Sequence, residues 1–156
     1  MACGTRLAAM PYSYVVNRYI DAPPDIVFEV VSDHAGYVSW TPARTGRLLT
    51  EGTPDRNGVG ARRFLGAGRI GAVERVVEFD RPAHMSYVVE RGLPTEGYRA
   101  HVRLTPSGDG TALEWSGSFE SAPPLLARPI LAFLKAIIRD TAKRLDAESV
   151  RRARSA

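Results

Sequence analysis

Charged side chains interrupt two otherwise apolar strand patterns in the middle of the chain. Between residues 70 and 79, one face carries Glu74 among alanine and valine, and the other carries Arg75 among valine and phenylalanine. Between residues 59 and 65, Arg63 shares a face with valine, alanine and leucine. Because a buried charge needs a partner, a hydrogen-bond network or water, this indicates either a cavity that holds a polar group or cross-strand ion pairs on the solvated face.

An inward-facing charged group beside a phenol could perform acid–base chemistry. Glu74 or Arg75 beside Tyr87 could transfer a proton or stabilise an enolate, which is what a cyclase requires. Such a group needs a pKa shifted by burial, which a sequence does not display. These three residues are the catalytic candidates.

Aromatic residues suggest the walls of a cavity, although they suit an ordinary core equally well. Tyr37, Trp40 and Trp115 each offer a large apolar surface with a polar tip. The sequence leaves both interpretations open.

A glycine motif at residues 66–71 matches the spacing of a dinucleotide-binding loop, G-x-G-x-x-G. That loop must open a helix after a strand. A β-branched run follows here instead, so the sequence predicts a hairpin turn between two strands and no nucleotide site.

The histidines and the single cysteine show no metal or nucleophile motif. His34, His84 and His101 fall at a helix end, in a turn and on an outward strand face, so their positions predict no metal site. Cys3 is the only cysteine, which excludes an internal disulfide and a multi-cysteine metal site. No G-x-S-x-G elbow occurs, and the sequence predicts no cofactor.

Seven strands with short turns must position these residues, and short turns favour antiparallel neighbours. A helix is predicted to begin within residues 21–25, and a second short helix to carry Tyr37 and Trp40. The predicted strands span residues 12–20, 45–51, 59–65, 70–79, 84–91, 98–105 and 111–120.

The run from Leu125 to about Arg152 predicts one long amphipathic helix. Its apolar residues recur at steps of three and four, and so broad a stripe must lie against something large and concave. The stripe comprises Ile130, Phe133, Leu134, Ile137, Thr141 and Leu145, whereas Lys135, Arg139, Lys143 and Asp146 are predicted to face water.

Composition is that of one ordinary globular domain. The chain has 156 residues, is 44% hydrophobic and 24% charged, and carries a formal net charge of +4. Its basic residues are interleaved with acids, so we expect no nucleic-acid function. No apolar run approaches the roughly 20 residues needed to span a bilayer, and we expect at most peripheral membrane contact and a cytoplasmic location. Residues 1–11 are predicted to be a flexible extension, residues 12–152 a single domain and residues 153–156 a tail.

The order of these elements and several local motifs resemble the START-like (SRPBCC) superfamily, in particular its bacterial polyketide cyclase/dehydrase and lipid-transport members. The resemblance covers about residues 12 to 150. The motifs that carry it are Ala22-Pro23-Pro24-x-x-Val27-Phe28, Ser32-Asp33, Tyr37-x-x-Trp40-x-Pro42, Val59-Gly60-Ala61-Arg62, Glu78-Phe79-Asp80-Arg81-Pro82 and Thr105-Pro106.

The resemblance implies an α+β helix-grip fold, in which a seven-stranded curved antiparallel sheet wraps a long C-terminal helix, with two short helices after the first strand. It also implies a cavity between sheet and helix for a lipid, quinone, fatty acid or polyketide. The alternative is a polyketide cyclase or dehydratase with an acid–base residue in that cavity, and a third possibility is a regulatory partner protein. Oligomeric state stays open. The candidate ligand-binding residues are Phe28, Tyr37, Trp40, Arg63, Tyr87, Trp115, Phe133 and Ile137.

Overall fold

Seven antiparallel strands form a single open sheet in the computed structural model, which describes residues 12–156. The predicted N-terminal extension and Cys3 lie outside the described residues. The strands are β1 Tyr12–Ile20, β2 Thr45–Thr50, β3 Arg62–Ala67, β4 Ile70–Asp80, β5 His84–Arg91, β6 Arg99–Ser107 and β7 Gly110–Phe119.

The spatial order of the strands is β1-β7-β6-β5-β4-β3-β2. Strands β2 to β7 therefore form a meander, and β1 pairs with the last strand, with Tyr12 opposite Phe119 and Ile20 opposite Thr111. The motif at residues 66–71 forms the turn between β3 and β4, as its β-branched continuation predicted.

Two short helical segments follow β1, as the sequence predicted. The first is α1, Pro24–Ser32, which begins with proline in its first turn, where the missing N–H would have no partner in the helix. The second is a 3₁₀ turn, Gly36–Ser39. It carries Tyr37 and ends against Trp40, whose ring lies 4.7 Å from the Tyr37 ring.

The C-terminal helix α2 spans Ala127–Ser155. It includes most of the predicted tail, because Glu148 accepts hydrogen bonds from Arg151 and Arg152 one turn further on and supports the last turns. With the sheet, this gives the helix-grip architecture. Within residues 12–156, no helix is both long enough and apolar enough to cross a membrane.

The buried side of α2 is rotated relative to the predicted apolar stripe. Its buried residues are Ala127, Leu134, Ile138, Ala142, Leu145 and Ser149. By contrast, Phe133 is 59% exposed and Ile137 is 44% exposed. Asp146, which was predicted to face water, instead accepts a hydrogen bond of 2.7 Å from Arg18 of β1.

This rotation follows from what α2 touches. The helix packs mainly against β1 and α1, so its buried residues lie toward the sheet side and its remaining residues stay partly exposed. The other flank of the helix stands opposite β3, β4 and β5 without close packing. A space therefore lies between that flank and the sheet.

Strand β4 does not alternate cleanly, because its pairing with β5 shifts between Val73 and Glu74 and again between Val76 and Glu78. Such bulges redirect the side chains that follow. Glu74 and Val76 point to the inner face of the sheet, while Glu78 points outward and Phe79 inward. The inner face of β4 therefore consists neither of the even-numbered residues alone nor of the odd-numbered residues alone.

Candidate functional site

A cavity of about 700 Å³ occupies the space between α2 and the inner face of the sheet. Its walls are largely apolar, with contributions from Leu65, Ala72, Val89, Leu93 and Leu134. Several of its lining residues on α2 and in the loop at residues 41–43 are partly or fully exposed, so the cavity opens to solvent on that side.

A buried ion pair forms the polar part of the wall. Arg63 of β3 is 1% exposed, and its Nε lies 2.5 Å from Oε2 of Glu74 on β4. The two residues are directly opposite each other in the antiparallel register. The sequence predicted that a charge here would need a partner, and cross-strand pairing supplies it on the inner face.

Aromatic rings enclose the guanidinium of Arg63 on two sides. Its central carbon lies 5.0 Å from the ring centroid of Tyr37 and 4.8 Å from that of Tyr87, a geometry that stabilises a desolvated cation. Burial opposes the charge, but the Glu74 carboxylate and the two phenols more than offset this effect and raise the pKa of Arg63 above its ordinary value. Arg63 is a permanent cation in the cavity wall.

His34 supports Arg63 from behind. The imidazole is fully buried, and its Nδ1 lies 2.5 Å from Nη1 of Arg63. Since a guanidinium can only donate, Nδ1 must be the acceptor, and the imidazole is neutral. Burial, followed by the positive charge of Arg63, lowers the pKa of His34 from 6.5 to about 2.

Phenol groups complete the polar wall. Tyr37 donates its hydroxyl to the carbonyl oxygen of Val31 at 2.6 Å. Tyr87 accepts a hydrogen bond of 3.2 Å from Nε1 of Trp115. Burial, followed by the charge of Glu74, raises the pKa of Tyr87 well above 10, so this hydroxyl is a hydrogen-bond donor at neutral pH and not a base.

Seven of the residues that the sequence singled out line this cavity. They are Tyr37, Arg63, Glu74, Tyr87, Trp115, Phe133 and Ile137. Phe133 and Ile137 lie at its opening, where they are partly exposed, and not at its floor.

Three of the candidates lie elsewhere. Arg75 points to the opposite face of the sheet and is bound to Glu90 at 2.9 Å, so it cannot act in the cavity. Phe28 is buried beside Phe79, with ring centroids 5.1 Å apart. Trp40 packs on the far side of Tyr37. An aromatic residue in the core and one in a cavity wall have the same sequence pattern. Phe28 and Trp40 were therefore predicted to line the cavity although they do not.

Tyr98 and His34 are polar residues of the site that were not among the candidates. Tyr98 lines the cavity and shares a hydrogen bond of 2.6 Å with Tyr14; the alternation of β6, which places Tyr98 inward, was a usable signal. His34 had no comparable signal, because its contact with Arg63 joins positions 29 residues apart.

The positions of the histidines predicted no metal site, but the structure brings two of the histidines close to each other and to a carboxylate. On the outer face of the sheet, Nε2 of His84 lies 3.0 Å from Nδ1 of His101, and both nitrogens lie within 4.0 Å of a Glu78 oxygen. The strand register brings the three residues together, because Ser86 of β5 stands between Glu78 of β4 and His101 of β6.

Comparison with known families matches residues 12–150 to the family described as polyketide cyclase/dehydrase and lipid transport. A search of curated proteins found no match.

Solved structures from several organisms share the fold. A protein of Thermus thermophilus is similar with a TM-score of 0.74 and 17% identity, over 90% of this chain and 99% of that one. A protein of Thermobifida fusca has a TM-score of 0.74 and 22% identity, over 90% and 94% of the two chains. CalU16 of Micromonospora echinospora has a TM-score of 0.62 and 18% identity, over 96% and 85%.

We predict that Glu74→Gln destabilises the protein by about 3 kcal/mol, because it leaves the buried Arg63 without its counter-charge. Denaturant unfolding followed by circular dichroism measures the loss. The matched control is Glu90→Gln, whose exposed pairs with Arg62 and Arg75 should contribute less than about 1 kcal/mol. Equal effects of the two substitutions would refute a structural role for the buried pair.

We also predict that the free energy of unfolding falls by about 2 kcal/mol between pH 6.5 and 4.5. The pKa of His34 is lower in the folded state than in the unfolded chain. The unfolded chain therefore takes up a proton that the folded protein excludes, and stability present above pH 6.5 is lost as the pH falls.

The measurement is denaturant unfolding at several pH values in that interval. His34→Asn, which keeps an acceptor near Nδ1, should flatten the pH dependence even though it lowers overall stability. The control His101→Gln alters a partly exposed histidine and should retain most of the slope. An unchanged slope in His34→Asn would mean that another group causes the effect.

Proposed function

The chain belongs to the polyketide cyclase/dehydrase and lipid transport family, and on this premise we propose that its cavity binds a small hydrophobic or amphipathic molecule. Lipids, quinones, fatty acids and polyketides are the classes that fit. The proposal rests above all on the cavity of about 700 Å³ between α2 and the sheet, a volume typical of small-molecule sites.

The lining of the cavity suits a ligand with one polar end. Apolar side chains from β3, β4, β5 and α2 form most of the wall, where they would contact a hydrocarbon or aromatic body. The Arg63–Glu74 pair and the Tyr87 hydroxyl are concentrated on the sheet side, where they could hold a carbonyl, hydroxyl or carboxylate group.

The opening is apolar as well. Phe133 and Ile137 combine exposure to solvent with a position in the cavity lining. A hydrophobic ligand passing between them and residues 41–43 would exchange water for contacts with these two apolar side chains.

We predict that Ile137→Asp weakens the binding of lauric acid at least about tenfold, since it places a charge where the chain of the ligand must lie. Titration monitored by tryptophan fluorescence gives the affinity, and native mass spectrometry of the protein as purified reveals any retained ligand. The control is Ile70→Asp, the same change at a residue that is 85% exposed and outside the cavity lining. Absence of binding by the unmodified protein to lauric acid, dodecanol and naphthoquinone alike would refute the proposal.

A second candidate function is cyclisation or dehydration of a polyketide in the same cavity. The specific observation in its favour is that a carboxylate, Glu74, and a phenol donor, Tyr87, line one apolar space. Glu74 would accept a proton from carbon next to a carbonyl group, and Tyr87 would donate a hydrogen bond to the enolate oxygen that forms. Arg75, which faces away, has no part in this scheme.

If this second function holds, Tyr87→Phe should lower turnover of a linear poly-β-ketone thioester about a hundredfold or more, in line with the loss of an oxyanion donor. Product formation followed by chromatography measures it. Tyr37→Phe is the matched control, because the Tyr37 hydroxyl is already bound to the Val31 carbonyl. Product formation no faster than in buffer would leave binding as the sole proposed function.

A further inference from the structure

Glu78, His84 and His101 form a compact group on the face of the sheet that points away from the cavity. Met85 and Val102, the residues next to His84 and His101 in sequence, are buried on the inner face, whereas the side chains of Glu78, His84 and His101 are 47%, 24% and 26% exposed. The proposed ligand site does not use them. We refer to them as the histidine–glutamate cluster.

Three ligand atoms converge in this cluster. Nε2 of His84 and Nδ1 of His101 are 3.0 Å apart, and Oε2 of Glu78 lies 3.9 Å from the first and 3.8 Å from the second. Ligand atoms bound to one tetrahedral zinc ion at about 2.0–2.1 Å stand about 3.3 Å from each other. A rotation of the two imidazole rings toward a common point, with a movement of about half an ångström by the carboxylate, would therefore bring all three into a common coordination sphere.

The side chains of His84 and His101 are held more firmly than most surface side chains. The rings lie end to end and nearly coplanar, with centroids 5.3 Å apart and planes inclined by 7°, and the two facing nitrogens share a hydrogen bond. His84 is the first residue of β5 and His101 lies within β6, in a region where β5 pairs with β4 on one side and β6 on the other. A site on paired strands loses little conformational freedom when it binds an ion.

From this geometry we propose that the histidine–glutamate cluster binds a divalent metal ion of the zinc type. Two imidazoles and one carboxylate with room for water are a ligand set that zinc accepts. Mg²⁺ and Ca²⁺ prefer sites made of oxygen atoms alone, so they are poor candidates. An ion here would join β4, β5 and β6 through side chains.

Two neighbours of Glu78 shape the expected affinity. Ser86 donates a hydrogen bond of 2.5 Å to Oε2, and Nη2 of Arg99 lies 2.8 Å from the same oxygen. Donors of this kind orient a metal-binding carboxylate from outside the coordination sphere. The charge of Arg99 also competes with a cation, whereas Arg103 is directed to Glu114 at 3.3 Å. Arg99→Gln should therefore bind zinc at least as tightly as the unmodified cluster.

The test is isothermal titration with ZnCl₂ in a Cys3→Ser background, which removes the one thiol that could bind zinc independently. One ion per chain is expected, with a rise in the melting temperature, because the ion binds the folded state. His84→Ala, His101→Ala and Glu78→Gln should each lower the affinity about tenfold or more, since even indirect partners of a metal contribute that much.

Glu114→Gln, an exposed carboxylate on the neighbouring strand, and titration with MgCl₂ are the controls, and both should leave the zinc result intact. Circular dichroism verifies that each variant is folded. We expect them to fold, because the substituted side chains are partly exposed. Absence of saturable zinc binding, or binding that survives both histidine substitutions, would overturn the proposal. Neither result bears on the cavity, because lauric acid binding is measured separately.

Discussion

A guanidinium almost completely removed from water must be balanced inside the protein, and the centre of this molecule is built to balance Arg63. Glu74 neutralises it from the next strand, His34 accepts a hydrogen bond from it, and the rings of Tyr37 and Tyr87 cover its faces. These groups come from a loop, a 3₁₀ turn and the strands β4 and β5, while Arg63 itself lies on β3. Replacing the pair with apolar residues could give a core of equal stability, so stability alone does not account for a charge at this position.

The cavity has its origin in one-sided helix packing. Leu145 and Ala142 are fully buried where α2 packs against β1 and α1, while another flank of the helix, which includes Ile138, faces the cavity and the wall with the ion pair. If large apolar side chains filled that space, the polar groups of β3 and β4 would lose all access to water or to a ligand. The charged wall is thus compatible with an open cavity beside it, and the two features together distinguish this interior from an ordinary hydrophobic core.

Local sequence patterns predicted the elements well, because strand alternation and helical period are properties of neighbouring residues. The strand from Tyr12 to Ile20 agrees with its prediction to the residue, and the inward placement of Met85 and Trp115 follows from alternation alone. The family resemblance contributed the arrangement of helix and sheet. It also implied the cavity itself, which no residue pattern in this chain would have established.

What the sequence could not provide depends on contacts between distant segments. The bulges in β4 mix its two faces, so neither alternating set predicted that Glu74 and Phe79 both point inward. The meeting of His84 with His101 depends on the pairing register of two strands. The helical period placed Phe133 and Ile137 on the apolar stripe, but only the position of α2 on β1 decides that they border water.

Those two side chains also influence how the enthalpy and entropy of ligand binding change with temperature. In the free protein, Phe133 and Ile137 keep water in contact with apolar surface at the mouth of the cavity. A ligand that covers them releases that water, and removal of apolar surface from water lowers the heat capacity of the complex relative to its parts. The enthalpy of such an association becomes more favourable on warming while its entropy becomes less so, and calorimetry at several temperatures would record the covering of the mouth directly.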